Sequence, residues 1–384
     1  MEVYLDNAAT TKCYAQAAEL MTRILCEDYG NPSSLHTKGM EAEKYVRTAA
    51  EQIAAALRCK PKEIVFTSGG TESNNLALAG CAQAYQRAGK KILTSPIEHP
   101  SVQKTLEHLA EQGFTVTEIP ADKNGRIDLD AFRELLDEET ILVSVMLVNN
   151  ETGIIEPVRE ISEIIRESGA KALLHVDAVQ AFGKLPVHVK ELGADLLSVS
   201  GHKIHGPKGI GFLYIKEKTK IRPIVFGGGQ QNDIRSGTIP APGIVGLGLA
   251  AETVCKDLSA QKERLTALKQ EFAAGLTSLP DVVINGRTDD TFSPYILNVS
   301  FPGIRSEVLL HALEERGIYV SSGSACAAHH PKDASVLQKL GYEKKRVDSA
   351  IRFSFSQETT AEELHFTLEV IGELLPVLRR YTRR

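Results

Sequence analysis

No stretch of this chain approaches the ~18 consecutive apolar residues that a membrane span requires. Residues 1–11 combine neither a basic start nor an apolar run, so no leader is expected and the chain reads as cytosolic, with no membrane partner. A basic surplus is also missing: the formal net charge is −5, which gives no field for holding nucleic acid through its phosphates, and any dealing with RNA is expected to be indirect. The six cysteines, Cys13, Cys26, Cys59, Cys81, Cys255 and Cys326, contain no C-x-x-C pair, which fits neither a disulfide framework nor a zinc ribbon. Taken singly, each is best read as a small buried hydrophobe. Internal repeats and low-complexity segments are absent.

What the chain does have is size and alternation. Its 384 residues, 42% of them hydrophobic, suffice for one large core and a smaller one. Short β-rich apolar runs at 63–67, 91–94, 115–119, 141–147, 172–176, 195–199 and 211–215 alternate with helical stretches such as 72–87 and 158–168. This is the pattern of an α/β protein with a mostly parallel seven-stranded sheet covered by helices on both faces. After residue 244 a long helical stretch runs to about 279, stopped by Pro280; strands follow at 282–284, 295–301, 318–321 and 351–355, then a last helix over 361–379. The expected division is a large domain over 16–245, a small α+β domain over 246–384, and an N-terminal segment, 1–15, packing with the small one. The basic C-terminal tail reads as a solvated helix terminus.

In parallel sheets ligands collect at the carboxyl ends of the strands, and four such places carry unusual chemistry. Ser68-Gly69-Gly70-Thr71-Glu72 turns from a strand into a helix and aims backbone N–H groups at an anion such as a phosphate, although alone it is equally a plain helix start. Asp177 directly follows the run 172–176, where a helix cap is the alternative. Lys203 follows the run 195–199, 26 positions later, about one strand–helix–strand unit, so both should reach one sheet edge. Singly they would be a turn residue and a solvated surface group. Together they match the needs of pyridoxal 5′-phosphate (PLP): a carboxylate to keep the pyridine nitrogen protonated and an amine to bond the cofactor covalently. Beyond the run 91–94, His99 in Ile97-Glu98-His99-Pro100 is positioned to lie over the pyridine ring.

These segments resemble the class V aminotransferase-like, fold type I PLP enzymes, and specifically the cysteine desulfurases of the NifS and IscS type. The resemblance covers nearly the whole chain, from Tyr4-Leu5-Asp6-Asn7-Ala8-Ala9-Thr10-Thr11 through Asn149-Asn150-Glu151-Thr152-Gly153 and Ser200-Gly201-His202-Lys203 to Arg235-Ser236-Gly237-Thr238, Ser322-Gly323-Ser324-Ala325-Cys326 and Ile351-Arg352-Phe353-Ser354. It implies that Lys203 carries the cofactor, Asp177 pairs with the ring nitrogen, Gln180 meets the ring hydroxyl and His99 stacks on the ring. Gly70, Thr71, Ser200 and His202 would hold the phosphate, completed by Thr238 of a neighbouring subunit, so a homodimer is expected. Asn150, counted with the cofactor contacts as well, and Arg352 would meet the carboxylate of L-cysteine, a task suited to a guanidinium fork. A structural salt bridge is the alternative for Arg352.

Cys326 decides the reaction. Its small, polar, glycine-bearing surroundings suit a loop better than a core. In the family the corresponding cysteine takes the sulfur of L-cysteine as a persulfide and alanine is released. The resemblance also implies that Lys203 removes the substrate α-proton and that His99 handles the substrate thiol proton. Iron–sulfur scaffolds and tRNA thiolation enzymes are the expected persulfide acceptors. Two features depart from the pattern. Gln231-Asn232-Asp233-Ile234 stands where relatives carry a glutamate or glycine and a basic residue, which puts contacts near the cofactor cup in question. His329 and His330 follow Cys326, but two or three ligands make an incomplete zinc site, so no metal is expected. A selenocysteine lyase or another class V PLP enzyme is the alternative on this scaffold, and an aminotransferase would have no use for Cys326. A non-enzymatic docking partner is opposed by the intact Lys203, Asp177, His99 and Cys326.

Overall fold

A computed structural model describes residues 1–322 and 335–382. Its strands are β1 (Val3–Tyr4), β2 (Ile64–Thr67), β3 (Lys91–Thr94), β4 (Thr115–Glu118), β5 (Thr140–Met146), β6 (Leu173–Asp177), β7 (Leu196–Ser200), β8 (Gly211–Ile215), β9 (Val283–Asn285), β10 (Ile296–Ser300), β11 (Ile318–Tyr319), β12 (Ser321–Ser322) and β13 (Ala350–Ser354). Seven of them form the large sheet in the order β2-β8-β7-β6-β5-β3-β4. Only β8 runs antiparallel to its neighbours, so the sheet is mostly parallel, as expected.

Strand β5 is buried along its whole length, as are β7 and β8, which is how strands covered on both faces read. Successive residues point to opposite faces. Phe66, Leu93, Val143, Leu197 and Phe212 belong to the main apolar cluster, whereas their strand neighbours Val65, Ile92, Leu142, Leu196 and Leu213 belong to a second one on the other face. Helices Gly70–Tyr85 and Pro100–Glu111 cover the second face through Leu76, Val102 and Leu106. Helices Thr37–Leu57, Val158–Ser168 and Ala241–Cys255 cover the first through Ile53, Ile161 and Leu247. The parallel register places Asp177 beside Met146 and Ser198, which aligns the carboxyl ends of β5, β6 and β7.

The small sheet is antiparallel, in the order β12-β13-β10-β9. Helices Leu258–Thr277 and Ala361–Thr382 pack with it, Phe272 meeting Phe353 edge-on at 5.3 Å. The long helical stretch expected after residue 244 is two helices, Ala241–Cys255 and Leu258–Thr277, because Asp257 (φ −130°, ψ 41°) leaves helical geometry between them. The strand expected over 318–321 is likewise two, and Val320 is the crossing point: β11 pairs in parallel with β1, and β12 pairs with β13.

The N-terminal segment touches both sheets. Asn7 and Ala8 bond Ser354 of β13, while Thr11 and Tyr14 bond backbone beyond β7, at His202 and His205. No described helix is long and apolar enough to cross a membrane.

Candidate active site

A cavity of about 650 Å³ opens at the carboxyl ends of β6 and β7 and is walled on one side by Ala8, Ala9 and Thr10 of the N-terminal segment. Gly70, Thr71, His99, Asn150, Asp177, Gln180, Ser200, His202, Lys203 and Arg352, all singled out in the sequence, line it together. A larger cavity of about 970 Å³, beside the small sheet between Lys123 and Arg346, holds none of them.

At one end β2 passes into helix Gly70–Tyr85 through Gly69, whose φ of +152° is open to glycine but strains a side chain. The helix has no side-chain cap there, so its first N–H groups and positive dipole end are available to an anion. Gly70 must stay bare, since a Cβ would stand 2.8 Å from Val179 Cγ2. Glu72, in the same turn, is ion-paired with Arg235 at 2.7 Å and accepts from Ser68 N; those contacts outweigh burial and hold its carboxyl below the usual range.

Asp177 closes the other end. Its Oδ1 accepts from Val179 N at 3.0 Å and its Oδ2 from Asn74 Nδ2 at 2.8 Å. Asn74, 1% exposed, gives its second N–H to Ser101 Oγ at 2.9 Å, and that hydroxyl lies 2.8 Å from His99 Nδ1. Because His99 caps helix Pro100–Glu111 by accepting from Ser101 N, its Nδ1 is unprotonated and the proton of the neutral ring sits on Nε2. Burial pushes the imidazole below its usual value, with Asp177 opposing and Lys203 adding to the shift. Next to it the fully buried Glu98, bound to Ser95 Oγ and Met146 N, is pushed well above the carboxylate range by burial.

Lys203 ends a short turn, Gly201–Lys203, straight after β7, and its Nζ donates to Ala8 O and Ala9 O at 2.7 Å each. His202, mostly desolvated and surrounded by Lys203, Lys208 and Lys184, is pushed down to about 4 and so presents a neutral ring. On β13, Arg352 gives Nη1 to Asn150 O at 2.9 Å and Nη2 to Asp6 Oδ1 at 2.8 Å, while its buried Nε–H has no partner. The salt-bridge alternative for Arg352 is therefore real, yet the residue also lines the cavity, and one buried donor of its guanidinium is left unsatisfied.

These donors suit PLP. The bare helix start beside Ser200 and His202 would suit a phosphate, a doubly hydrogen-bonded carboxylate would suit a protonated ring nitrogen, and a lysine amine stands at the same cavity.

One expected residue is not brought in: Thr238 is exposed and does not line this cavity. Cys326, with His329 and His330, lies outside the described residues. The unusual Gln231 has an account: its amide bonds both N and O of Phe66, at 2.7 and 2.9 Å, pinning this segment to the edge strand β2. Gln231, Asn232 and Asp233 form a left-handed turn with φ from +50° to +62°. Sequence reasoning passed over Asn74 and Ser101. Asn74 stands two residues past Glu72 of the glycine turn and Ser101 two residues past His99, but nothing local marked their partners.

The Aminotransferase class-V family matches residues 3–366. A protein named "Cysteine desulfurase IscS" from Dictyoglomus turgidum is 42% identical over 379 residues, covering 98% of this chain and 95% of that relative. Among solved structures, a NifS-like protein superposes with a TM-score of 0.93 at 39% identity, over 98% of this chain and 100% of that one. SspA in complex with cysteine has a TM-score of 0.81 at 32% identity, over 94% and 100% of the two chains.

Proposed function

We infer that this chain, which belongs to the Aminotransferase class-V family, is a PLP-dependent cysteine desulfurase that converts L-cysteine and a protein thiol into L-alanine and a protein persulfide. The observation that carries this reading is the convergence of Lys203, Asp177, His99 and Arg352 on one cavity with an uncapped helix start. When bound there, PLP supplies an electron sink for the pair left by the broken α C–H bond. Lys203 Nζ holds the cofactor and then moves the α-proton. Asp177, kept in place by Asn74 and Val179, faces the ring nitrogen. Gly70, Thr71, Ser200 and His202 receive the phosphate, and Gln180 the ring hydroxyl.

Arg352, with Asn150, takes the substrate carboxylate. Their shared place on the cavity wall supports this role, because a cationic guanidinium suits a carboxylate. His99, on the cavity wall, would lie against the ring. With Nδ1 spent on the helix cap its Nε2–H is a proton donor, so accepting the substrate thiol proton would require giving up the Ser101 bond. Cys326 takes the sulfur: a thiol and L-cysteine give a persulfide and L-alanine, with no outside oxidant needed.

The protein works in the cytoplasm as a homodimer, Thr238 of each subunit completing the partner's phosphate cup. This is supported by its exposure on a segment tied to the cup through Arg235 and Glu72. The persulfide passes to an acceptor such as an iron–sulfur scaffold or a tRNA thiolation enzyme. The large unit 16–245 carries the cofactor and the small unit 246–384 the cysteine loop.

The test is alanine and sulfide release from L-cysteine with a reductant, comparing the holoenzyme with Cys326→Ala and Lys203→Ala. Equal amounts of the two products, lost in both variants, are expected. Full activity of Cys326→Ala towards cysteine would remove the persulfide step and favour a lyase.

A further inference from the structure

Lys184 is a buried amine with no part in the roles above, and we propose that it is a positioning residue, holding the Gln180 amide so that its N–H side is offered to the phenolic oxygen of PLP. The inference rests on the PLP reading of the cavity. Lys184 lies in the turn that follows β6 and is 5% exposed. Its Nζ donates to Gln180 Oε1 at 2.8 Å and stands 5.9 Å from the Tyr295 ring centroid. Gln180, 4% exposed, donates from Nε2 to Ala8 O at 2.9 Å.

Which end of a glutamine amide is nitrogen is decided by its partners. An ammonium can only donate, and a backbone carbonyl can only accept. Lys184 and Ala8 therefore select the same orientation from opposite ends of the amide. Turning it over would set donor against donor at Lys184 and acceptor against acceptor at Ala8, between side chains only 5% and 4% exposed. One N–H remains on Nε2 for the cavity that Gln180 lines, so the amide there offers a donor, which suits an anionic oxygen.

Ala8 O also accepts from Lys203 Nζ, so Gln180 and Lys203 share one anchor, and Lys184 joins it through Gln180. A buried amine is costly unless its charge is used. Burial, reinforced by Lys203 and Arg352, pulls Lys184 down to about 7. The other titratable groups around it are Tyr295, His202 and His205. No acid pairs with Lys184 among its described contacts, so an anion entering the cavity would be the charge that favours its protonated form.

The test follows the absorption band of the bound cofactor against pH in wild type, Lys184→Met, Gln180→Leu and the double variant. A cation and a donor at the phenolic oxygen favour the less protonated chromophore. Lys184→Met should therefore raise the titration midpoint by about one pH unit, and the PLP dissociation constant from dialysis should rise about tenfold. Acting through Gln180, the double variant should move no further than Gln180→Leu alone. A Lys184→Met midpoint equal to wild type, even with lowered thermal stability, would make the residue merely structural and overturn the proposal. Shifts that simply add in the double variant would also overturn it. Lys184→Leu serves the same readout if the methionine variant does not yield folded holoenzyme. Failure of the PLP reading itself would be distinct: wild type would then show no chromophore.

Discussion

Replacing Arg352 by lysine keeps the charge on β13 and removes the fork. The guanidinium serves Asn150 O through Nη1 and Asp6 through Nη2, with Nε left over, at a side chain only 11% exposed. A lysine is shorter and carries one ammonium, so it reaches one of those partners and cannot also grip a carboxylate with two parallel bonds. One charge-assisted hydrogen bond in such a setting is worth about 1.5–3 kcal/mol. If that bond is made to the substrate carboxylate, kcat/KM for L-cysteine should fall roughly 10- to 150-fold. The loss should lie mainly in KM, because the carboxylate is held alike before and during bond breaking. The assay is initial-rate alanine formation over a range of cysteine concentrations, with PLP content checked by absorbance. A folded, PLP-loaded Arg352→Lys protein whose KM stays within about twofold of wild type would show that Arg352 is only the structural partner of Asp6.

Other consequences are as direct. Gly69→Ala places a side chain at φ +152°, where strain of about 1–3 kcal/mol is expected; the added Cβ has room, 3.6 Å from Ser200 Oγ. Both the melting temperature and PLP affinity should therefore fall from backbone strain, and an unchanged thermal scan would contradict this. His175, fully buried between Ser144 Oγ and Ser198 Oγ at 2.9 Å each, is pushed down to about 4 by burial. Its unfolded value is near 6.5, so stability is fully present above that pH and is lost as the pH falls towards 4, by about 3 kcal/mol in all. Urea midpoints for His175→Gln should show a shallower decline between these pH values, and parallel curves would refute the assignment. Thr238→Val should weaken PLP retention while leaving monomer folding intact, and dialysis showing normal retention would argue against a shared phosphate cup.

Strands β5, β7 and β8 of the large sheet were legible because a strand covered on both faces must be apolar along its length, and they are. Asp177 and Lys203 could be paired from spacing, since parallel strands bring their carboxyl ends to one edge. The shortest strands were legible only in part. The two-residue β1 was not foreseen, and β11 and β12, two residues each, were read as one strand, because so few residues show no break and their pairings depend on which edge lies within reach. Asn74 could have been any helix residue until folding set its amide between Asp177 and Ser101.

The amino-acid order by itself determined the elements and the chemical inventory, because hydrophobic period, glycine turns and strand-end polar residues are local properties of the chain. Only the tertiary structure decided which groups share hydrogen bonds. The Asn74 to Asp177 contact closes 103 residues, Ala8 to Lys203 195, and Asp6 to Arg352 346. Over such separations the chain imposes no geometry of its own; burial of both sheets' apolar faces brings these groups together, and once they are shut away from water each donor takes the acceptor it finds there.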